Sequence, residues 1–387
     1  MPSSETPAVE DAQQYRGLRL GTILGAPVVL SWSWFIAAII IIVIFTPWVS
    51  GYGVPMPLSI VVAFSYAVLL FVSVFLHELA HAIAAKVYGH DIIGIELNVW
   101  GGYTHFTSDS GRTDGSPAVR SLVVSVVGPL TNLFLALAGW LILHGTALGS
   151  VTWLLLFAIT FANLALGVVN LLPGLPLDGG RALEAAVWGA TKRRNQATIV
   201  AAWAGQVIAI LAVVVILGSS MVRGARPSVF TVLWAGLIGY FLFTSAHAEL
   251  KGAKMRERVE KFNLQRVVAP AVAVRSEATV ADVLSLEPRV AAGSATAVVF
   301  DETSKPWALV NAAAVRSVAE PVRADTPIAG CSHVIDHWLV MHAGISTPDI
   351  ISALSQQPGT AHVFFVHDAV ITGYLDVQHL YAALVDR

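Results

Sequence analysis

Apolar residues run along the chain in six long stretches, at about 29 to 48, 60 to 88, 118 to 143, 152 to 172, 196 to 219 and 228 to 248. The breaks between them are rich in Gly and Pro, as in Gly51-Tyr52-Gly53-Val54-Pro55, or small and polar, as in His144-Gly145-Thr146. Asp, Glu, Lys and Arg are missing from Leu20 to His77, from Ser121 to Leu177, from Asn195 to Val222 and from Pro227 to Ala248. Each gap holds at least one run of the roughly 20 apolar residues that carry a helix across a hydrocarbon layer about 30 Å thick. The pattern predicts a polytopic α-helical membrane protein with about six transmembrane helices.

Between the second and third stretches, Asp91 to Pro117 is too polar to span. Its first part, Ile92 to Tyr103, is β-branched and aromatic but broken by glycines, which predicts strand-like structure. Such backbone is tolerated at membrane depth only where protein or water satisfies it. From about residue 249 charges return at ordinary frequency, predicting a soluble α/β domain of roughly 120 residues. A weak internal repeat runs through it, each copy a strand, a turn and a second strand entering a helix: Ala295 to Asp301 with Trp307 to Val315, then His362 to His367 with Gly373 to Leu380. The expected organisation is an N-terminal tail over 1–27, a transmembrane domain over 28–250, a linker over 251–266, and repeats over 267–320 and 321–387.

Of the 387 residues, 56% are hydrophobic and 12% charged, which fits a membrane protein. A net charge of −2 gives no field for attracting nucleic acid. The single cysteine, Cys331, excludes an intrachain disulfide and a cysteine-rich metal site. Glu5, Glu10 and Asp11, with no early apolar region, argue against a secretory signal peptide. Lys and Arg set the orientation: Arg16, Arg19, Lys86, Arg112, Arg120, Lys192 to Arg194 and the Lys251 to Lys261 group fall on one side of an alternating six-span chain, and Arg223 and Arg226 on the other. The basic side is the cytoplasmic one, so both termini are expected there.

The sharpest chemical signal is His77-Glu78-Leu79-Ala80-His81, near the end of the second stretch. On a helix, residues four apart share a face, so both imidazoles can reach one ion while Glu78 lies beside it to act on a water. Ionisable groups in an apolar segment are costly, and three within five residues favour a metal site over helix-end capping. A third ligand is offered by Asp178 in Asn170-Leu171-Leu172-Pro173-Gly174-Leu175-Pro176-Leu177-Asp178-Gly179-Gly180. Asp178 suits a helix N-cap as well as a zinc ligand, and its position at the same expected depth as His77 favours the ligand. Asn132, in Gly128-Pro129-Leu130-Thr131-Asn132, and Asn170 can each donate an amide to an oxyanion or bond across helices as packing contacts.

At these residues the chain resembles the site-2 protease family of intramembrane zinc metalloproteases. The resemblance rests on the 77–81 motif, Gly101-Gly102, the 128–132 motif and the 170–180 motif, in the family's order, over roughly residues 16 to 250. It implies one zinc ion per chain on His77, His81 and Asp178, Glu78 as catalytic base, and Asn170 and Asn132 as catalytic helpers. It also implies that the Gly101-Gly102 region is a membrane-associated β segment, which receives the unwound substrate as an added strand.

Six segments with a tail are similar to the family branch carrying paired CBS domains. The polar pair used by nucleotide-binding CBS domains is replaced by Asn311 and Ala314 in one copy and by Asp376 and His379 in the other, which argues against adenine-nucleotide binding. The resemblance further implies a multi-pass protein of a bacterial, or else archaeal, cytoplasmic membrane. Its substrate would be a single-span membrane protein, such as an anti-sigma factor or another tethered regulator, cut to release a soluble fragment. Its tail would modulate activity or form a homodimer. The alternatives are a catalytically silent scaffold, or a transporter with a structural metal site. A transporter should show repeat-related broken helices, and residues 29 to 248 show no such symmetry.

Overall fold

The computed structural model describes residues 17–99, 101–106, 116–303, 305–368 and 370–385. Most of the N-terminal tail, with Arg16, and Arg112 lie outside the described residues. The chain divides into two compact units, one up to Lys254 and one from Met255 onward.

In the first unit, β1 (Gly17–Ile23) and β2 (Ala26–Ser31) form a hairpin, followed by α1 (Ser33–Ser50) and α2 (Met56–Val87). Then come β3 (Ile92–Asn98), β4 (Gly101–Phe106), α3 (Pro117–Leu143), α4 (Val151–Asn170), α5 (Asp178–Thr191), α6 (Arg194–Val222) and α7 (Val229–Lys261). Among the described residues, α1, α2, α3, α4, α6 and α7 are long and apolar enough to cross a membrane. Their outer faces carry Ile39, Val43, Phe134, Phe161, Val214 and Leu233, all exposed, as lipid contact requires.

The helix boundaries follow from local chemistry. Pro117 occupies the first turn of α3, where the missing N–H costs nothing, and Ser150 caps α4 by accepting from the Trp153 N–H. At the end of α2 the Gly89 N–H donates to the Lys86 carbonyl and the His90 N–H to the Ala85 carbonyl. With Gly89 at φ +85°, this is a Schellman stop, placed two turns after His81.

The four strands form one sheet in the order β1-β2-β3-β4, with β2 and β3 parallel and the outer pairs antiparallel. The hairpin over 17–31 was not foreseen in the N-terminal tail, and the β segment over 92–106 is half of a larger sheet. Val28, Leu30, Ile95 and Leu97 pack on Ala82 and Ala85, so the sheet clamps the part of α2 just beyond the histidine motif.

In the second unit, one half comprises β5 (Ala269–Arg275), α8 (Val280–Leu286), α9 (Pro288–Ala291), β6 (Thr296–Phe300), β7 (Pro306–Val310), α10 (Ala312–Ser317) and β8 (Ser332–Val334). The other half comprises β9 (Trp338–His342), α11 (Thr347–Gln356), β10 (His362–His367), β11 (Val370–Asp376) and α12 (Val377–Val385). The repeat has the order strand, helix, strand, strand, helix: β5 is parallel to β6 as β9 is to β10, and each second strand turns back antiparallel. All seven strands join one sheet, β8-β7-β6-β5-β11-β10-β9. Alternation buries both faces: Val299 and Val363 point into the helix-covered clusters, while Val298 and Phe364 share a cluster on the other side. The stretch expected as a linker, 251–266, is helical to Lys261 as the end of α7.

Candidate metal centre

His77 and His81 lie one turn apart on α2, both buried. The Nε2 of His77 is 3.1 Å from the Nε2 of His81 and 3.1 Å from Oδ2 of Asp178, which is 3.5 Å from the His81 Nε2. The structure therefore brings together the three residues that sequence reasoning had separated by about a hundred positions.

Asp178 reaches this point because the preceding loop is pressed into α6. The Leu175 N–H donates to the Ala201 carbonyl, and a Cβ on Gly205 would lie 1.9 Å from the Leu175 oxygen. A Cβ on Gly180 would meet the Gly174 carbonyl carbon at 2.2 Å. Glycine at both positions is thus a condition for this backbone path. The N-cap of α5 is Leu177 rather than Asp178, and no side-chain capping bond is made there. The capping role open to Asp178 is not the one it occupies.

Hydrogen bonds behind the imidazoles fix their tautomers. His77 Nδ1 faces Asn132 Oδ1 at 3.3 Å, and His81 Nδ1 faces the Val124 carbonyl at 2.6 Å. Both partners accept, so both Nδ1 atoms carry protons and both Nε2 atoms present lone pairs. Asp178 adds a carboxylate oxygen at the same point. Three electron-pair donors therefore converge with nothing positive between them. A second proton would relieve one pair, whereas a cation relieves all three. Tetrahedral zinc with Zn–N near 2.0–2.1 Å separates two nitrogen ligands by about 3.3 Å, close to the spacing found.

Glu78 is buried beside the histidines. Its Oε2 accepts a 2.8 Å hydrogen bond from Thr104 Oγ1 on β4, and a Cβ on Gly102 would lie 2.2 Å from its Cγ. A Cβ on Gly128 would lie 2.3 Å from His81 Nε2, so glycine keeps α3 clear of the converging donors. Thr104 and the Val124 carbonyl were missed in the sequence. Thr104 was within reach, since it sits two residues from Gly102 on an alternating strand and so shares its face. Val124 contributes only backbone, which no residue-type pattern can flag.

The two asparagines part company. Asn132 is buried with its oxygen on His77, whereas Asn170, the last residue of α4, makes no side-chain hydrogen bond to another described residue. Deeper in the bundle, Asn163 donates to Ser73 at 3.0 Å, tying α4 to α2 one turn before His77.

A family model described as "Peptidase family M50" matches residues 65–217. Residues 65–217 are a peptidase family M50 domain. The M50 domain holds the whole metal centre, from α2 to α5, and most of α6. The chain is 30% identical to sll0528 of Synechocystis sp. over 259 residues and 31% identical to Rip3 of Mycobacterium tuberculosis over 286. These matches cover 65% and 71% of this chain, and both relatives carry zinc-metalloprotease names. The chain spans 65% of the length of each. Among solved structures, it is similar to the site-2 protease from Methanocaldococcus jannaschii, at 27% identity and a TM-score of 0.42, over 60% of this chain and 94% of that one.

Proposed function

We propose that the chain is an intramembrane zinc endopeptidase that cuts single-span membrane proteins within or beside the bilayer. The observation that carries this reading is the convergence of two fixed lone pairs and one carboxylate on a single point, with a buried glutamate next to it, on helices long enough to span a membrane.

His77, His81 and Asp178 are the residues that would hold zinc. Bound there, zinc supplies a Lewis acid that brings the pKa of water from 15.7 to about 7. Glu78 takes the proton of the attacking water and returns it to the leaving amine. Asn132 accepts from His77 and so orients that ligand, which takes its oxygen away from any contact with substrate. Asn170 makes no side-chain hydrogen bond to another described residue, which leaves its amide available to bond a substrate carbonyl.

β4 is an edge strand, paired only to β3 among the described residues, and it passes directly over Glu78. An unwound substrate added along it would lay its backbone beside the base. Substrates should accordingly carry helix-breaking residues near the cut, since a helical carbonyl is hidden by its own hydrogen bond.

The second unit is read as a regulatory, CBS-pair-like tail on the cytoplasmic side, dimerising or shielding access. Its repeat order supports this reading. Nucleotide binding is disfavoured: Asn311 caps α10 by accepting from the Ala313 and Ala314 N–H groups, and Asp376 accepts from the Gln378 N–H. The polar side chains at the two positions are already engaged.

The test is cleavage of a panel of single-span substrates by the purified full chain in lipid, wild type against Glu78→Gln, with bound zinc measured in both. Zinc in both and cleavage only by wild type is the expected result. A well-folded wild type that binds no zinc would overturn the reading.

A further inference from the structure

We propose that Thr104 is the positioning residue of the catalytic base, holding one oxygen of the Glu78 carboxylate while Gly102 clears the space beside the other; this rests on the reading of Glu78 as base. Successive residues of a strand alternate in direction, so Gly102 and Thr104 share one face of β4. That face meets Glu78. Thr104 Oγ1 lies 2.8 Å from Oε2 and 3.2 Å from the Glu78 backbone carbonyl, and a Cβ on Gly102 would lie 2.8 Å from Oε1.

The consequence for the chemistry is a division of labour between the two oxygens. A hydroxyl has one proton, and Thr104 has two acceptors for it, both belonging to Glu78. While Glu78 is a carboxylate, the charge-assisted bond to Oε2 is the stronger of the two and pins the carboxylate plane. The proton removed from water then goes to Oε1: an O–H bond of the water breaks and an Oε1–H bond forms. When the proton moves on to the leaving nitrogen, Oε1 is again bare and the Thr104 bond again at full strength. A base held in this way stays within reach of its proton instead of sampling other rotamers.

The arrangement also joins the strand to the base. β4 is the strand proposed to receive substrate, and the same strand sets the rotamer of Glu78. A substrate strand docked on its outer edge and the base on its inner face then share one rigid element, which fixes their distance.

The structural alternative is that Thr104 merely ties β4 to α2. Three full-length variants in lipid separate the two: Thr104→Val, which keeps shape and β-branching but has no hydroxyl, Thr104→Ser, which restores it, and Glu78→Gln as reference. The probe is a fluorogenic single-span peptide with a Gly-Pro break inside its apolar run. Thr104→Val should lose roughly 10- to 100-fold in kcat, the size expected for one hydrogen bond to a charged group. KM, bound zinc and melting temperature should stay at wild-type values, and Thr104→Ser should recover most of the rate. Infrared difference spectra against Glu78→Gln isolate the Glu78 carboxylate band without any substrate; it should move in Thr104→Val and return in Thr104→Ser. A Thr104→Val protein with wild-type kcat, a band that does not move, or a serine variant as slow as the valine one overturns the proposal. Those results leave Glu78 as base whenever Glu78→Gln is inactive. Cleavage by Glu78→Gln would instead remove the base itself, and the role of Thr104 with it.

Discussion

Asn132 holds its side-chain oxygen 3.3 Å from Nδ1 of His77, fifty-five residues away on another helix. That contact decides which His77 nitrogen is left for a metal. Outer partners of this kind are worth about 10- to 100-fold in metal affinity. Asn132→Ala should therefore weaken zinc binding by about that factor, measured by chelator competition, while Asn132→Asp, which still accepts, should bind more nearly like wild type. Unchanged zinc affinity in Asn132→Ala together with a fallen kcat would return Asn132 to the substrate side of the site.

The loop carrying Asp178 depends on two glycines in contact with backbone. Gly205→Ala places a Cβ 1.9 Å from the Leu175 oxygen, a clash with main chain that no rotamer change can relieve. Overpacking of this kind typically costs about 1–3 kcal/mol or more. Because Leu175 lies three residues from Asp178, zinc binding should fall along with the melting temperature. Gly218 is on the same helix with nothing within 4 Å of its Cβ position, so Gly218→Ala is the matched control and should leave both intact. Equal behaviour of the two variants would show that close packing at Gly205 does not set the loop.

Much of the centre was legible from sequence because its chemistry is stated in residue types. Two histidines four apart on an apolar helix can reach one ion whatever surrounds them, and the first acid after more than fifty uncharged residues stands out. The six spans were legible for the same reason, since a long uncharged run has few alternatives. The hairpin β1–β2 was not legible: Gly17 to Ser31 joins a sheet through Ala26, Val28 and Leu30, and that burial exists only because β3 arrives from sixty residues on. α7 ran past its expected end because its apolar pattern stops near His247 while its backbone continues helical through the charged turn to Lys261. The Thr104 contact and the tautomer-setting carbonyl of Val124 are tertiary facts with no local signature.

Acid should loosen the tail at His362. This imidazole donates to or accepts from the Tyr374 hydroxyl at 3.0 Å, and burial holds its pKa below the usual value, with Asp376 opposing and His333 adding to the shift. A histidine depressed in the fold binds its proton more readily when unfolded, so stability is lost as pH falls below about 6.5. Tyr374 acts at the other end: burial and Asp376 push its phenol up to about 12, so stability also falls as pH rises from about 10 towards that value. Hydrogen exchange of β10 and β11 in the full chain, corrected for intrinsic rate, should accelerate between pH 7 and 5.5, and His362→Gln should flatten that limb. An equal acid response in the variant would assign it to other groups.

Arg181 bridges two acids of unequal burial, and the inequality predicts which break matters. On one side is Glu184, 7% exposed, which also accepts a 2.6 Å hydrogen bond from Thr198; on the other is Glu249 on α7, whose side chain is 29% exposed. Glu249→Gln removes a partner that water can replace and should cost under about 1 kcal/mol, as exposed pairs do. Arg181→Met leaves Glu184 buried with Thr198 as its remaining hydrogen-bond partner among the described residues, and stranding a buried charge costs more than the pair itself contributes. Arg181 is itself 45% exposed, which screens that cost and places it between the two extremes. The expected order of melting temperature is therefore wild type, Glu249→Gln close behind, then Arg181→Met, with Arg181→Met/Glu184→Gln recovering part of the loss because no charge is then left buried. If the double variant melts lower than Arg181→Met, the bond from Thr198 to a charged Glu184 is the stronger element, and Arg181 serves mainly the contact to α7.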